Sequence, residues 1–166
     1  MESAALNVLF LCTHNSARSI LAEATLNHIG KGRFRAYSAG SNPRDNQQPN
    51  PLALTVLQDA GYGVAGLRSK SWDEFAATDA PKMDLIITVC DNAAGEVCPV
   101  WPGHPATAHW GYPDPSEAQG PEEQRKAAFK ATLHAIRSRL EMLVNLPAER
   151  LDKLRLQATA RELSGK

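Results

Sequence analysis

Three stretches of this 166-residue sequence bring together residue types that can do chemistry. The first is Cys12-Thr-His-Asn-Ser-Ala-Arg18-Ser19, a cysteine and an arginine with five residues between them. A thiolate at Cys12 is a nucleophile. The forked guanidinium of Arg18 can grip two oxygens of an anion. The Ser19 hydroxyl can donate to the thiolate. Taken alone, this spacing also fits a buried strand-end cysteine beside a surface arginine. The second stretch holds Cys90 and Cys98. Two more thiols near a reactive cysteine fit a relay of disulfides, each step a thiolate attack on sulfur. The alternative is two small buried hydrophobes, the commonest fate of free cysteine. With His104 and His109 they would make a zinc set, but seven residues between the cysteines is wider than the usual two to four. The third stretch is Trp110-Gly-Tyr-Pro-Asp114-Pro115. A carboxyl between two prolines can hand a proton to a leaving oxygen, and desolvation beside an anion cradle would favour its protonated form. Pro-Asp-Pro is also ordinary turn chemistry.

The elements that must position these residues follow from hydrophobic patterning. Leu6 to Leu11 is a short, mostly apolar run, the mark of a strand buried on both faces. Ala17, Ile20, Leu21 and Ala24 fall on one helical face, and Gly30 and Gly32 end that helix. Phe34 to Ala39 predicts a second strand, and the Asn-, Gln- and Pro-rich residues from Gly40 to Pro51 a loop. Ala53, Val56, Leu57 and Ala60 repeat the helical spacing up to Gly61. Ser71 to Ala77 reads as a short helix, Leu85 to Val89 as a buried strand, and Ala106 to Trp110 as a last short strand. Phe129, Leu133, Ile136, Leu140 and Leu143 mark a long helix starting near Pro121 and broken by Pro147. A weaker amphipathic helix is expected from Ala148 to Leu163.

Strands alternating with helices imply right-handed crossovers and an α/β fold with an open, parallel, four-stranded sheet, helices on both faces. Ligands of such sheets bind at the carboxyl ends of the strands. All three stretches sit there, and that shared location is the strongest argument for function. The loop Thr13, His14, Asn15, Ser16, Ala17, Arg18 runs from a strand into a helix start. It can aim several backbone N–H groups at one tetrahedral oxyanion, with the helix dipole adding positive potential.

Composition bounds the rest. The length suits one domain, with residues 1–146 as its body and 147–166 as a C-terminal helical extension. Apolar residues make up 43% and charged residues 22%, ordinary for a globular protein. Eighteen basic and eighteen acidic residues cancel, which argues against nucleic acid or an anionic membrane as the main partner. No apolar run approaches a membrane span. The apolar start has neither a basic region before it nor a small-residue cleavage site after it, so it reads as a strand and not a signal peptide. Three cysteines are too few for a disulfide scaffold, which points to reduced thiols in the cytoplasm. The five histidines, His14, His28, His104, His109 and His134, are scattered and read as structural or surface residues, with only His14 close to the chemistry.

At these residues the chain resembles the low-molecular-weight tyrosine phosphatase superfamily. The likeness rests on Cys12-x5-Arg18-Ser19 after a first strand, Ser38-Ala-Gly-Ser41 after a second and Asp114-Pro115 late in the chain, over about residues 5–145. Cys90 and Cys98 resemble its arsenate reductase branch, most closely the thioredoxin-coupled kind. Departures separate the branches. The phosphatases usually have a second cysteine where this chain has Ala17, Pro where it has Ile20, and after Asp-Pro an aromatic that stacks on phosphotyrosine where it has Ser116, which cannot stack. The resemblance therefore implies a small oxyanion substrate, arsenate, reduced to arsenite. It implies attack by Cys12 in the loop Thr13–Arg18, protonation of the leaving hydroxide by Asp114, a Cys12–Cys90 disulfide, then Cys90–Cys98, with thioredoxin as the outside donor. No cofactor is implied, because arsenic is the electrophile and thiols supply the electrons. The Cys90–Cys98 interval is one residue longer than in the best-known thioredoxin-coupled members, and His14 stands where Gly is common. Glutathione with glutaredoxin is thus the other candidate donor. A tyrosine or small-molecule phosphatase and a non-catalytic oxyanion-binding or redox-sensing protein are the competing readings.

Overall fold

The computed structural model describes residues 5–43, 45–81, 83–90 and 107–147. Four parallel strands, β1 (Leu6–Cys12), β2 (Phe34–Gly40), β3 (Leu85–Thr88) and β4 (Thr107–His109), form one sheet in the order β2-β1-β3-β4. The helices are α1 (Arg18–Ile29), α2 (Pro51–Asp59) and α3 (Glu122–Val144). This is the parallel α/β architecture that the patterning predicts. The short helix expected at Ser71–Ala77 is a four-residue 3-10 turn, Trp72–Phe75, started by the Ser71 hydroxyl accepting from the Asp73 N–H. The expected helix beyond Pro147, and Cys98 and His104, lie outside the described residues.

β1 is central, and the pleat divides its side chains between two cores. Val8, Phe10 and Cys12 join Leu85, Ile87 and residues of α1, α2 and α3 on one face. Leu9 and Leu11 join Ala39 and Ile86 on the other, where Tyr37, Trp72 and Phe75 cover them. Burial on both faces is why these strands read as apolar runs and not as alternation. α3 lies against α1 and α2, and Arg33 caps its carbonyl end through the Val144 and Leu146 oxygens. Cys12, the residues after Thr88 and those after His109 all emerge at the carboxyl edge of the sheet. Among the described residues no helix is long and apolar enough to cross a membrane.

Candidate active site

The Cys12 loop is built by tying down its carbonyls. The Cys12 oxygen accepts from Ser41 N–H, Thr13 from Asn42 N–H, Ser16 from Asn50 N–H and Asn15 from the Ser69 hydroxyl. A trans peptide sets its C=O and the following N–H on opposite sides. Each bonded carbonyl therefore directs the next N–H the other way, into the loop. Asn15 supports the turn at φ 60, a left-handed conformation that Asn tolerates better than most residues. Gly40 lets β2 approach: a Cβ there would lie 2.6 Å from the Thr13 oxygen. α1 begins at Arg18 without any side-chain cap, so its first-turn N–H groups face the loop with the positive end of the helix dipole.

Cys12 is a free thiol, 3% exposed. Its sulfur accepts from the Asn15 backbone N–H at 3.1 Å and lies 2.9 Å from Ser19 Oγ. Asn15 is fully buried, and its Nδ2 donates to Ser19 Oγ at 2.8 Å and to Ser38 Oγ at 2.9 Å. Ser38 donates in turn to Glu23, and Lys70 Nζ stands 3.8 Å from the same carboxylate.

Arg18 joins this loop to the third stretch. Its Nη1 donates to the Tyr112 carbonyl at 3.0 Å, and its Nη2 lies 3.7 Å from Asp114 Oδ2. Asp114 Oδ1 accepts from the Ser116 N–H and hydroxyl, starting the 3-10 turn Pro115–Glu117. The turn and the site are therefore one structure, not alternatives. Asp114 keeps 28% of its side chain exposed, more open than a desolvated acid would be. Ser116 is exposed. Burial pushes the nearby Tyr112 hydroxyl up to about 12.

Cys12, Asn15, Arg18, Ser19 and Asp114 are thus brought together. His14 donates from Nδ1 to the Asn42 carbonyl on the outer side of the loop. Cys90 is buried and disulfide-bonded, so it is not a lone hydrophobe. Among the described residues no group of three metal-binding side chains forms; His109 instead pairs through Nδ1 with Thr88 Oγ1 at 2.7 Å. Sequence reasoning missed Glu23, Lys70 and Ser69. Glu23 had a signal, as the lone acid in α1. Lys70 and Ser69 lie in a loop with no periodic pattern to single them out.

A family model described as low molecular weight phosphotyrosine protein phosphatase matches residues 7–157. The chain is 34% identical over 134 residues to a protein of Bacillus subtilis named arsenate reductase, covering 81% of this chain and 91% of that one. The solved structure of an arsenate reductase from Archaeoglobus fulgidus superposes with a TM-score of 0.67 at 28% identity, covering 84% of this chain and 99% of that one. A thioredoxin-dependent arsenate reductase of Corynebacterium glutamicum superposes with a TM-score of 0.57 at 27% identity, over 87% of this chain and 64% of that one.

Proposed function

The chain belongs to the low-molecular-weight phosphotyrosine protein phosphatase family, and we propose that, like its relatives named arsenate reductase, it reduces arsenate to arsenite. The observation that carries this reading is the Cys12 sulfur held between the Asn15 N–H and the Ser19 hydroxyl beneath an uncapped helix start. A negatively charged sulfur there can accept from both groups. The inward N–H groups and Arg18 suit the oxygens of a tetrahedral anion.

Arsenate sits in the loop Thr13–Arg18, and the Cys12 thiolate attacks arsenic. Asp114 gives its proton to the departing hydroxide, which leaves as water. The Cys90 thiolate then attacks the Cys12 sulfur. The sulfur–arsenic electron pair stays on arsenic, which leaves as arsenite, and a Cys12–Cys90 disulfide remains. Cys98 attacks Cys90, freeing the Cys12 thiolate and leaving Cys90–Cys98. An outside dithiol reduces that bond. The disulfide at Cys90 beside a free Cys12 is consistent with the last state of this cycle. Thioredoxin is the donor favoured by the Corynebacterium glutamicum relative. The exposed Ser116 offers no ring to stack on a phenol, which favours a small anion over phosphotyrosine.

The decisive experiment is a thiol count on the fully reduced protein without air or added thiol. Arsenate should remove two of the three thiols, while phosphate removes none. An unchanged count overturns the internal relay. Arsenite release on adding glutathione would then assign the glutaredoxin route, and rapid turnover of an aryl phosphate without arsenite would assign a phosphatase.

A further inference from the structure

Cys90 leaves the sheet beside a histidine that takes no part in the steps above. β3 ends at Thr88, and β4 ends at His109, its partner in the parallel register. The Trp110 N–H donates to the Thr88 carbonyl at 2.7 Å, so the two strand ends run on together toward the carboxyl edge. Gly111 then makes room for two groups at once. A Cβ placed on it would lie 3.2 Å from His109 Nε2 and 3.3 Å from the Cys90 carbonyl oxygen. Two atoms that close to one point are near neighbours. The Cys90 sulfur is tied to that carbonyl group through Cα and Cβ alone, and χ1 can re-aim it once its disulfide is open.

The other ring nitrogen is fixed. His109 Nδ1 stands 2.7 Å from Thr88 Oγ1, and the Thr88 hydroxyl hydrogen has its own acceptor in the Ala108 carbonyl at 3.4 Å. That arrangement suits a ring proton on Nδ1, donated to Thr88, with a lone pair left on Nε2. The bond to Thr88 is unchanged when Nε2 takes up a proton, because Nδ1 donates in both states. Among the described residues Thr88 is the sole hydrogen-bond partner of His109. The titratable neighbours are turned elsewhere: Asp114 to Arg18 and Ser116, and Tyr112 into the main core. Cys90 itself is fully buried, where bulk water cannot collect a thiol proton.

We propose that His109 carries the proton of Cys90: Nε2 takes it when the Cys90 sulfur attacks and returns it when that sulfur leaves again. The inference rests on the relay described above. Only a thiolate attacks sulfur. The Cys90 thiol gives its proton to Nε2, its sulfur bonds to the Cys12 sulfur, and the sulfur–arsenic electron pair stays on arsenic. When an outside dithiol later attacks Cys98, the Cys90–Cys98 bond breaks, and Cys90 departs as a thiolate that the imidazolium reprotonates. The dithiol supplies the electrons, and His109 moves only the proton.

The test isolates that pair of groups from arsenate chemistry. In a Cys12→Ser/Cys98→Ser parent, Cys90 is the sole thiol. Its attack on the small disulfide dithiodipyridine is followed by absorbance across a range of pH. The parent rate should rise through the neutral range and then level. His109→Gln should slow the reaction about a hundredfold at neutral pH, as expected for a lost general base. The difference should close above about pH 9, where a thiol ionises unaided. That closing separates proton transfer from packing, since a structural role slows the reaction equally at every pH. Thr88→Val, which frees the ring to turn, should slow it about tenfold at neutral pH, the worth of one hydrogen bond. A parent that reacts only in alkaline solution overturns the proposal, as does a rate unmoved in His109→Gln or slowed equally throughout. If His109→Gln does not fold, an unmoved rate in Thr88→Val overturns it. Failure of the relay reading shows elsewhere, as repeated arsenite production that survives Cys90→Ser in the otherwise intact chain.

Discussion

The loop that carries Cys12 and the loop that carries Asp114 meet at Arg18, and they are made in different ways. Around Cys12 nearly every polar atom is spoken for inside the protein. Four loop carbonyls are tied outward, Asn15 is fully buried with its amide bonded at both ends, and Gly40 brings β2 within contact of the turn. Asp114 stands instead on a short turn, partly exposed, held by Ser116 and facing Arg18 at 3.7 Å. A nucleophile and its anion cradle gain from rigidity, because charge must be met by dipoles already in place. A proton donor gains from access to water, through which it is recharged between turnovers. On the proposed reading, two loops on one sheet edge divide the work between pre-arrangement and exchange.

That contrast can be tested from its strongest consequence down. Cys12→Ser should abolish arsenate reduction, a loss of about a thousandfold or more, because the hydroxyl is a far weaker nucleophile at neutral pH. Arsenite release under saturating thiol donor measures it, and residual activity near that of the intact chain would reverse the assignment. Asp114→Asn should lower kcat by about a hundredfold with KM little changed, as expected for a lost general acid. A drop in affinity at constant kcat would instead make Asp114 a binding residue. Gly40→Ala probes the rigid side without touching the chemistry. The added methyl meets the Thr13 oxygen, and the fold should lose about 1–3 kcal/mol in urea titration, with weaker phosphate binding alongside. Equal stability would mean that the loop yields more readily than its bonding implies. The smallest effect belongs to Ser116→Ala, which removes one of two donors to a partly exposed carboxylate oxygen. It should cost activity only about threefold to tenfold, the worth of one modest hydrogen bond. A loss as large as that of Asp114→Asn would show the acid to be as tightly arranged as the nucleophile.

Much of this was readable in advance where local rules govern. The apolar runs at Leu6 and Leu85 announce strands buried on both faces, and the Ile20, Leu21 and Ala24 spacing announces α1. Val89 was expected inside β3 but lies just past it; its N–H still bonds to the Leu11 oxygen, so the ladder outlasts the strand by one residue. The Asp114-Pro115 turn was legible as a turn because Pro fixes its own φ and Asp caps the next N–H. The partners of Asn15 were not legible. Ser38 is 23 residues away and Lys70 is 55 away, and nothing local links them.

The amino-acid sequence by itself determined the order of elements, the parallel sheet that follows from it and the presence of Cys12, Arg18 and Asp114 at strand ends. These rest on periodicity and chain connectivity, which act over a few residues at a time. Only the tertiary structure decided that Arg18 bridges the Cys12 and Asp114 loops, that Gly40 admits the turn, and that Glu23 and Lys70 stand behind Cys12. Such pairings depend on which buried donor finds which buried acceptor once the sheet is assembled. Leaving a fully buried donor or acceptor unmet costs about 1–3 kcal/mol, so it is the packed fold that selects its partner.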